Sequence, residues 1–304
     1  MPACLPTLAA RCRTVTERSR VWGAPCVFWG ARALQWDNFF AAMMQGSDSK
    51  GRDLGFATFA QELGSKTLGG FVPNGANAAK KSRDRTEPIV GAKVLLSFLK
   101  RFGIDETAWL IEWSFDQLYG WHEWAIEYRT ISPSGLIAPG SDPILPLVDD
   151  SDWGVNTMQG ARWETGMDNS PMYDGPDGAS HNKSGPILFN TSSHLMQLMD
   201  VGMTSNLAAD MLALVELGTA WCGANGVAPN ASACTAETHE KINWLNHTAA
   251  TLGDRTQAHL WNDDASAFTN KMPADAYPEL SDDTFYTRIS PTRSENVSFC
   301  TILY

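Results

Sequence analysis

Carboxylates and aromatic residues are concentrated in the segment 135–175. The set comprises Asp142, Asp149, Asp150, Asp152, Glu164, Asp168 and Asp174, with Trp153, Trp163 and Tyr173 between them. Apolar ring faces raise the pKa of a carboxyl group, and glycoside hydrolysis needs one such carboxylic acid to protonate the leaving oxygen. The pattern therefore predicts a carbohydrate site. A calcium loop at 149–152 and a solvated acidic surface stay open as alternatives.

The composition restricts the ligands that this chain can bind. Its 304 residues include 23 Lys and Arg against 34 Asp and Glu, a formal charge of −11, and 12 tryptophans. The charge opposes binding to nucleic-acid phosphates and anionic lipids, whereas exposed indole faces suit the apolar faces of sugar rings. No segment has the roughly 18 apolar residues of a membrane helix, and the first residues lack the apolar run of a secretory signal. We predict a soluble protein with no membrane insertion. Its cellular compartment and its oligomeric state stay open.

Other types of chemical site have weak support in the sequence. The chain contains six cysteines, Cys4, Cys12, Cys26, Cys222, Cys234 and Cys300. They show no close pairs of the kind that zinc or redox sites need, so we predict no metal and no cofactor, and their disulfide status stays open. The His122-Glu123 pair lacks the second histidine of a metalloprotease motif and is predicted to have a core or surface role.

The elements that must position the acidic segment are predicted to be helices. Apolar residues recur at three- and four-residue steps in 89–102 and 107–129, and again in 207–221 and 242–252. No comparable segment alternates with period two, and 130–186 and 222–236 are rich in Gly, Pro, Asn, Asp and Ser, which indicates loops. The chain is therefore predicted to be one all-α domain whose long loops build a site at one end.

The acidic segment also carries a family resemblance. Its residues 161–174, ARWETGMDNSPMYD, resemble the signature of glycoside hydrolase family 63, which includes processing α-glucosidases and mannosylglycerate hydrolases. The inverting trehalases of family 37 have a related signature. Further similar segments follow in the family's order, namely WDNFF at 36–40, GFVPN at 70–74, RTEP at 85–88, DVG at 200–202 and LWN at 260–262. The likeness covers roughly residues 30–292.

The resemblance implies a fold and a set of site residues. The fold is an all-α (α/α)6 toroid, with 1–25 as a poorly defined N-terminal segment and 26–304 as a partial catalytic domain. Asp168 matches the general acid of an inverting mechanism on an α-linked glucoside or mannoside. The implied sugar-binding residues are Trp36, Asp37, Asn74, Arg85, Arg129 and Trp163. Trp36 and Asp37 would pack on and hydrogen-bond the sugar ring, while Asn74, Arg85 and Arg129 would hold its hydroxyls.

Two glutamates near these positions are interpreted differently. Glu87 stands where the family usually has Gln, so a ligand contact and an ion pair with Arg85 are both open. Glu164 is predicted to be a buried support of the loop rather than a catalyst. For the substrate, trehalose stays open, and a glycerate group would need cations, for which Lys80, Lys81 and Arg83 are the nearest unless they belong to a solvated loop.

The end of the sequence leaves the activity open. Residues 293–304 do not continue the resemblance, and the family's general-base Glu has no counterpart here, so the toroid is expected to be incomplete at its C-terminal end. An inverting enzyme needs that second carboxylate to activate water. One hypothesis is therefore a glycoside hydrolase. The alternative is a catalytically inactive carbohydrate-binding fragment, and a weaker third is a protein-interaction toroid.

Overall fold

The computed structural model describes residues 33–76, 81–143, 154–168, 170, 187–223, 234–274 and 286–287. Within these ranges the chain forms seven helices: α1 Gln35–Gln45, α2 Arg52–Leu63, α3 Gly91–Phe102, α4 Ile104–Arg129, α5 Met158–Glu164, α6 Val201–Cys222 and α7 Ala236–Leu260. The strands are two residues each: β1 Ala33–Leu34, β2 Gly75–Ala76, β3 Thr130–Ile131, β4 Leu136–Ile137, β5 Phe189–Asn190, β6 Leu195–Met196, β7 Trp261–Asn262, β8 Ala267–Phe268, β9 Met272–Pro273 and β10 Tyr286–Thr287. They pair antiparallel as β1–β2, β3–β4, β5–β6, β7–β8 and β9–β10.

The four helices predicted from apolar periodicity are present as α3, α4, α6 and α7. Asp200 and Thr235 cap the starts of α6 and α7, because their side chains accept the N–H groups of Met203 and Thr238. Gly103, at φ 79°, separates α3 from α4 and lets the chain turn directly from one helix into the next. The mainly helical fold is therefore confirmed.

The start of α3 is capped by a residue from another helix. Asp210 of α6 is fully buried, and its carboxylate accepts the backbone N–H groups of Ala92 and Lys93 at 3.2 and 2.8 Å. It also contacts His122 Nε2 of α4 at 2.9 Å. His122 is fully buried, so of the core and surface roles left open for the His122-Glu123 pair the histidine has the core role, and the Asp210 carboxylate joins three helices.

Three helices are absent from the sequence-based prediction. α1 and α2 pack against each other, but α2 buries Gly55 and Glu62 beside its phenylalanines and so has no continuous apolar stripe. α5 lies within the segment predicted to be a loop, 130–186, and is only seven residues long. Its length is too short for a 3.6-residue period to be recognised.

Large buried side chains of α1–α4, α6 and α7 form the main core, which includes Phe39, Phe59, Leu118 and Trp121. Two smaller clusters lie under the loops, and one of them joins the β3–β4 hairpin, β6 and the last residue of α7. The hairpins that follow α4 and α7 therefore meet on one side of the helices. Within the described ranges, none of the helices combines the length and apolarity needed to cross a bilayer.

Candidate functional site

The loop that follows α5 is built around a close contact between Gly166 and Trp36. Gly166 has φ +67°, and a Cβ atom added there would lie 2.5 Å from the Trp36 ring. Thr165 Oγ1 accepts the Met167 N–H at 3.0 Å and fixes the turn. Only glycine adopts this positive φ readily and also leaves room for the Trp36 ring. The Trp36 indole of α1 therefore packs directly on the loop that leads to Asp168.

Asp168 is a partly buried carboxylic acid at the end of this loop. Burial raises its pKa above the ordinary value, and the charges of Arg85 and Arg162 oppose this only in part. Arg162 also donates from Nε to the Asp168 carbonyl at 3.1 Å, which holds the backbone of the residue in place. A carboxyl group that keeps its proton to higher pH and remains partly exposed can protonate a bound ligand.

Asp168 belongs to a cluster of carboxyl groups. The pKa of Asp37 is raised by burial and by the charge of Asp168. Burial raises the pKa of Glu87 well above its ordinary value, and the charges of Asp37, Asp168 and Glu62 add to that effect. Burial likewise raises the pKa of Glu62 to about 7. The carboxyl groups of Asp37, Asp168 and Glu62 are therefore close enough to Glu87 to affect its pKa.

Glu87 holds the start of α1 and does not pair with Arg85. Its Oε2 accepts the Trp36 backbone N–H at 3.0 Å, and its own N–H is donated to Gln35 Oε1 at 2.9 Å. Of the two uses left open for Glu87, the ion pair with Arg85 is thus wrong. Glu87 is 5% exposed, and burial raises its pKa well above the ordinary value, which favours the uncharged form of the carboxyl group. Glu and Gln have similar size, so Glu87 occupies the space of the Gln that the resemblance leads one to expect.

Arg85 links Asn74 to the indole of Trp163. Its Nε donates to Asn74 Oδ1 at 3.2 Å, and its guanidinium lies 4.7 Å from the Trp163 ring centre. Nη1 forms an ion pair with Asp84. These contacts orient the planar group beside Trp163, whose side chain is partly exposed, and near enough to Asp168 to affect its pKa.

Arg129 is 1% exposed, and all of its side-chain donors are bound by protein acceptors. Nε donates to Glu164 Oε2 at 2.7 Å, and the two terminal nitrogens donate to Asp142 at 3.0 and 3.1 Å. The remaining two N–H groups go to the carbonyls of Tyr128 and Asp84. A guanidinium has five N–H groups, so in this structure none is left for a sugar hydroxyl. A ligand contact by Arg129 stays a prediction, while its observed contacts are those of a positioning residue.

Glu164 has the supporting role predicted for it. The side chain is fully buried, and besides Arg129 it accepts the backbone N–H groups of Gly140 at 2.6 Å and Thr86 at 3.1 Å. It therefore ties the 140–142 segment and the 84–86 segment to α5. Trp163 directly precedes Glu164 at the end of α5, so this buried network sets the position of Trp163 and of the loop that follows it to Asp168.

The structure thus brings six of the predicted residues into one region, while Arg129 supports that region through its contacts with Glu164 and Asp142. These six are Trp36, Asp37, Asn74, Arg85, Trp163 and Asp168. The acidic residues 149, 150, 152 and 174 lie outside the described residues, as does Lys80. Lys81 donates its ammonium to the carbonyls of Ser65 and Lys66 at 2.8 and 3.3 Å, which leaves it a weak candidate for a carboxylate ligand.

Sequence reasoning overlooked Glu62 and Asp84. Glu62 is 4% exposed, accepts Asn38 Nδ2 at 2.7 Å, and has no hydrogen-bond partner for Oε1 among the described residues. Asp84 binds Arg85 and accepts Ser141 Oγ at 2.8 Å. For Asp84, its position directly before Arg85 was an available signal, because adjacent opposite charges often share a hydrogen-bond network. For Glu62, no local signal was available.

Two solved structures of proteins from Thermus thermophilus are similar in fold. One is described as an uncharacterized conserved protein, with a TM-score of 0.54 and 16% identity over 86% of this chain and 66% of that chain. The other is a GH63 mannosylglycerate hydrolase in complex with glucose, with a TM-score of 0.54 and 17% identity over 86% of this chain and 65% of that chain. The chain thus spans slightly less than two thirds of each. The protein therefore has the mainly helical fold of the family-63 glycosidases, as predicted.

The family follows from a separate comparison. The model of the mannosylglycerate hydrolase MGH1-like glycoside hydrolase domain matches residues 29–278, which is most of the chain. No curated protein sequence matches significantly. The chain belongs to the MGH1-like glycoside hydrolase family, and the resemblance found in the sequence is confirmed.

Proposed function

We propose that this protein is an inverting glycoside hydrolase that acts on an α-linked glucoside or mannoside, with Asp168 as the general acid. The observation that carries the proposal is the state of Asp168: a partly buried carboxyl group with a raised pKa, on a loop that packs against the Trp36 indole. A general acid must hold its proton at the working pH and release it to the leaving oxygen. Partial burial supplies the first condition, and partial exposure allows the second.

The neighbouring residues supply binding rather than proton transfer. Trp36 and Trp163 offer indole faces to the apolar side of a sugar ring. Asp37 and Asn74 offer oxygen acceptors, and the Arg85 guanidinium offers donors to hydroxyls. No general base is assigned among these residues, so the roles above cover the acid half of the reaction.

The first experiment identifies the substrate and the stereochemistry. The full chain is incubated with mannosylglycerate, glucosylglycerate, trehalose and simple α-glucosides and α-mannosides, and the first product anomer is followed by NMR. We expect release of the β-anomer from an α-linked substrate, because one displacement inverts the configuration. A first-formed α-anomer would contradict the inverting mechanism. Sugar binding measured by calorimetry without any turnover would instead support the inactive carbohydrate-binding alternative.

A second experiment tests the role of Asp168. Asp168→Asn should lower kcat on natural substrates by about 10²–10⁴-fold, because an amide cannot donate the proton. It should retain most of its activity on an α-glycosyl fluoride, since fluoride leaves without protonation. Asp37→Asn is the matched control and should mainly raise KM, with equal losses on both substrates. Equal losses on both substrates for Asp168→Asn would remove Asp168 as the acid.

A further inference from the structure

Two cysteines and a histidine meet at the junction of α6 and α7, away from the sugar site. Cys222 is the last residue of α6, and Cys234 lies two residues before the first residue of α7. The two form a disulfide with Cα atoms 5.2 Å apart. The sequence spacing left the pairing of the cysteines open, and the structure supplies this pair across a sequence separation of 12.

His239 lies directly beside this pair. Thr235 caps α7 by accepting the Thr238 N–H at 3.2 Å, and the His239 N–H is donated to the Thr235 carbonyl at 3.2 Å. This first turn places His239 Nε2 3.4 Å from Cys234 Sγ. The possible ligand atoms of Cys222, Cys234 and His239 all lie within 4.8 Å of one another.

We propose that, after reduction of the disulfide, Cys222, Cys234 and His239 form a binding site for a zinc-type metal ion. A thiol reductant supplies two electrons and two protons, so the S–S bond breaks, two thiols form, and the reductant becomes a disulfide. Metal binding then releases the two thiol protons and gives two thiolate ligands and one neutral imidazole ligand.

The distances agree with this geometry. Zn–S bonds of about 2.3 Å and Zn–N bonds of about 2.0 Å place tetrahedral ligand atoms roughly 3.5 Å apart. The Cys234–His239 contact of 3.4 Å already has that spacing. The two sulfurs must separate to about 3.8 Å around such an ion, and one rotamer change moves a sulfur by about 3 Å. His239 is exposed, so water completes the coordination.

The consequence is a junction with two alternative cross-links. In oxidising surroundings the disulfide joins the end of α6 to the start of α7, and in reducing surroundings a metal ion joins the same residues. Both states hold the α6–α7 pair together, although through different bonds. The site does not depend on the proposed glycosidase activity.

The test is a metal titration of the full chain in both redox states. After phosphine reduction under argon, Co²⁺ should bind with one equivalent and give thiolate-to-cobalt charge-transfer absorption, and Zn²⁺ should displace it. The oxidised chain should give no such absorption. Cys222→Ser and Cys234→Ser should lose it, even though the other four cysteines remain.

The histidine variants separate this site from a simple disulfide. His239→Ala keeps both cysteines and should weaken Zn²⁺ binding to the reduced chain by about 100-fold, since even the loss of an outer-shell partner costs about 10–100-fold. The control is His247→Ala, an exposed histidine on the same helix about 12 Å further along. Circular dichroism checks that each variant is folded. Unchanged Zn²⁺ affinity in His239→Ala, no binding by the reduced chain, or unchanged absorption in a folded serine variant would overturn the proposal.

Discussion

Replacing Arg129 by Met should destabilise the protein strongly, because it leaves a buried carboxylate without its cation. Arg129 and Glu164 are 1% and 0% exposed, and their atoms are 2.7 Å apart. Breaking such a buried pair from one side costs about 3–5 kcal/mol. The guanidinium also lies 4.6 Å from the Trp124 ring centre, and a desolvated contact of this kind adds up to about 2 kcal/mol. Asp142 loses a partner as well, but its side chain is 23% exposed and can be hydrated.

We therefore expect Arg129→Met to lower the free energy of unfolding by about 4 kcal/mol. Urea unfolding followed by tryptophan fluorescence would show this as a fall of roughly 1.5 M in the midpoint, with an unchanged slope. Arg101→Met is the matched control. Arg101 is an exposed residue in the last turn of α3 and should change the stability by less than about 0.5 kcal/mol.

The double variant tests the reason for the loss. Glu164→Gln alone should also destabilise the protein, since it removes the charge that compensates Arg129. In Arg129→Met/Glu164→Gln neither charge is left buried without a partner, so the loss should be smaller than the sum of the two single losses by about 2 kcal/mol or more. Additive losses, or a cost below about 1 kcal/mol for Arg129→Met, would show that this buried pair is not energetically coupled.

Three further predictions follow from individual contacts. Burial raises the pKa of Glu62 from 4.5 to about 7, so the stability that its protonated form contributes is present in acid and falls by about 3 kcal/mol as the pH rises between these values. Urea unfolding of Glu62→Gln should lack this part of the pH dependence. A pH profile identical to that of the unchanged protein would contradict this prediction. Gly166→Ala should weaken sugar binding measured by calorimetry, because the new methyl group meets the Trp36 ring; unchanged affinity would mean that this contact does not shape the site. Asp210→Ala should cost about 3 kcal/mol or more in urea unfolding, since it leaves the N-terminus of α3 uncapped in the core; a loss as small as that of the exposed Asp254→Ala would exclude the capping role.

The proportion of the fold that could be predicted follows from the length and regularity of each helix. α3, α4, α6 and α7 each have apolar residues that repeat over three or more turns, so their period is visible in the sequence. α2 escapes this test because its buried side includes Gly55 and Glu62. The buried carboxyl group of Glu62 accepts a hydrogen bond from Asn38 on α1, and such a contact leaves no mark on the periodicity.

The candidate site was predicted in part for a similar reason. The segment 161–174 carries the signature, so Asp168 and Trp163 could be recognised locally. The hydrogen-bond and ion-pair partners of the residues around them could not be recognised from the local sequence. Arg85 binds Asp84 and Asn74, whereas Glu87 accepts the backbone N–H of Trp36, and none of these contacts is marked in the local sequence.

The sequence by itself determined the helical class, the family and the identity of the acidic segment, since these depend on local periodicity and on residues adjacent in the chain. The tertiary structure decided which charged groups are already paired with other groups of the protein. Arg129 meets Glu164 from 35 residues away, and Asp210 caps α3 from 118 residues away. The free energy of a buried charge depends on the partners that surround it in space, and only the folded chain brings these partners together.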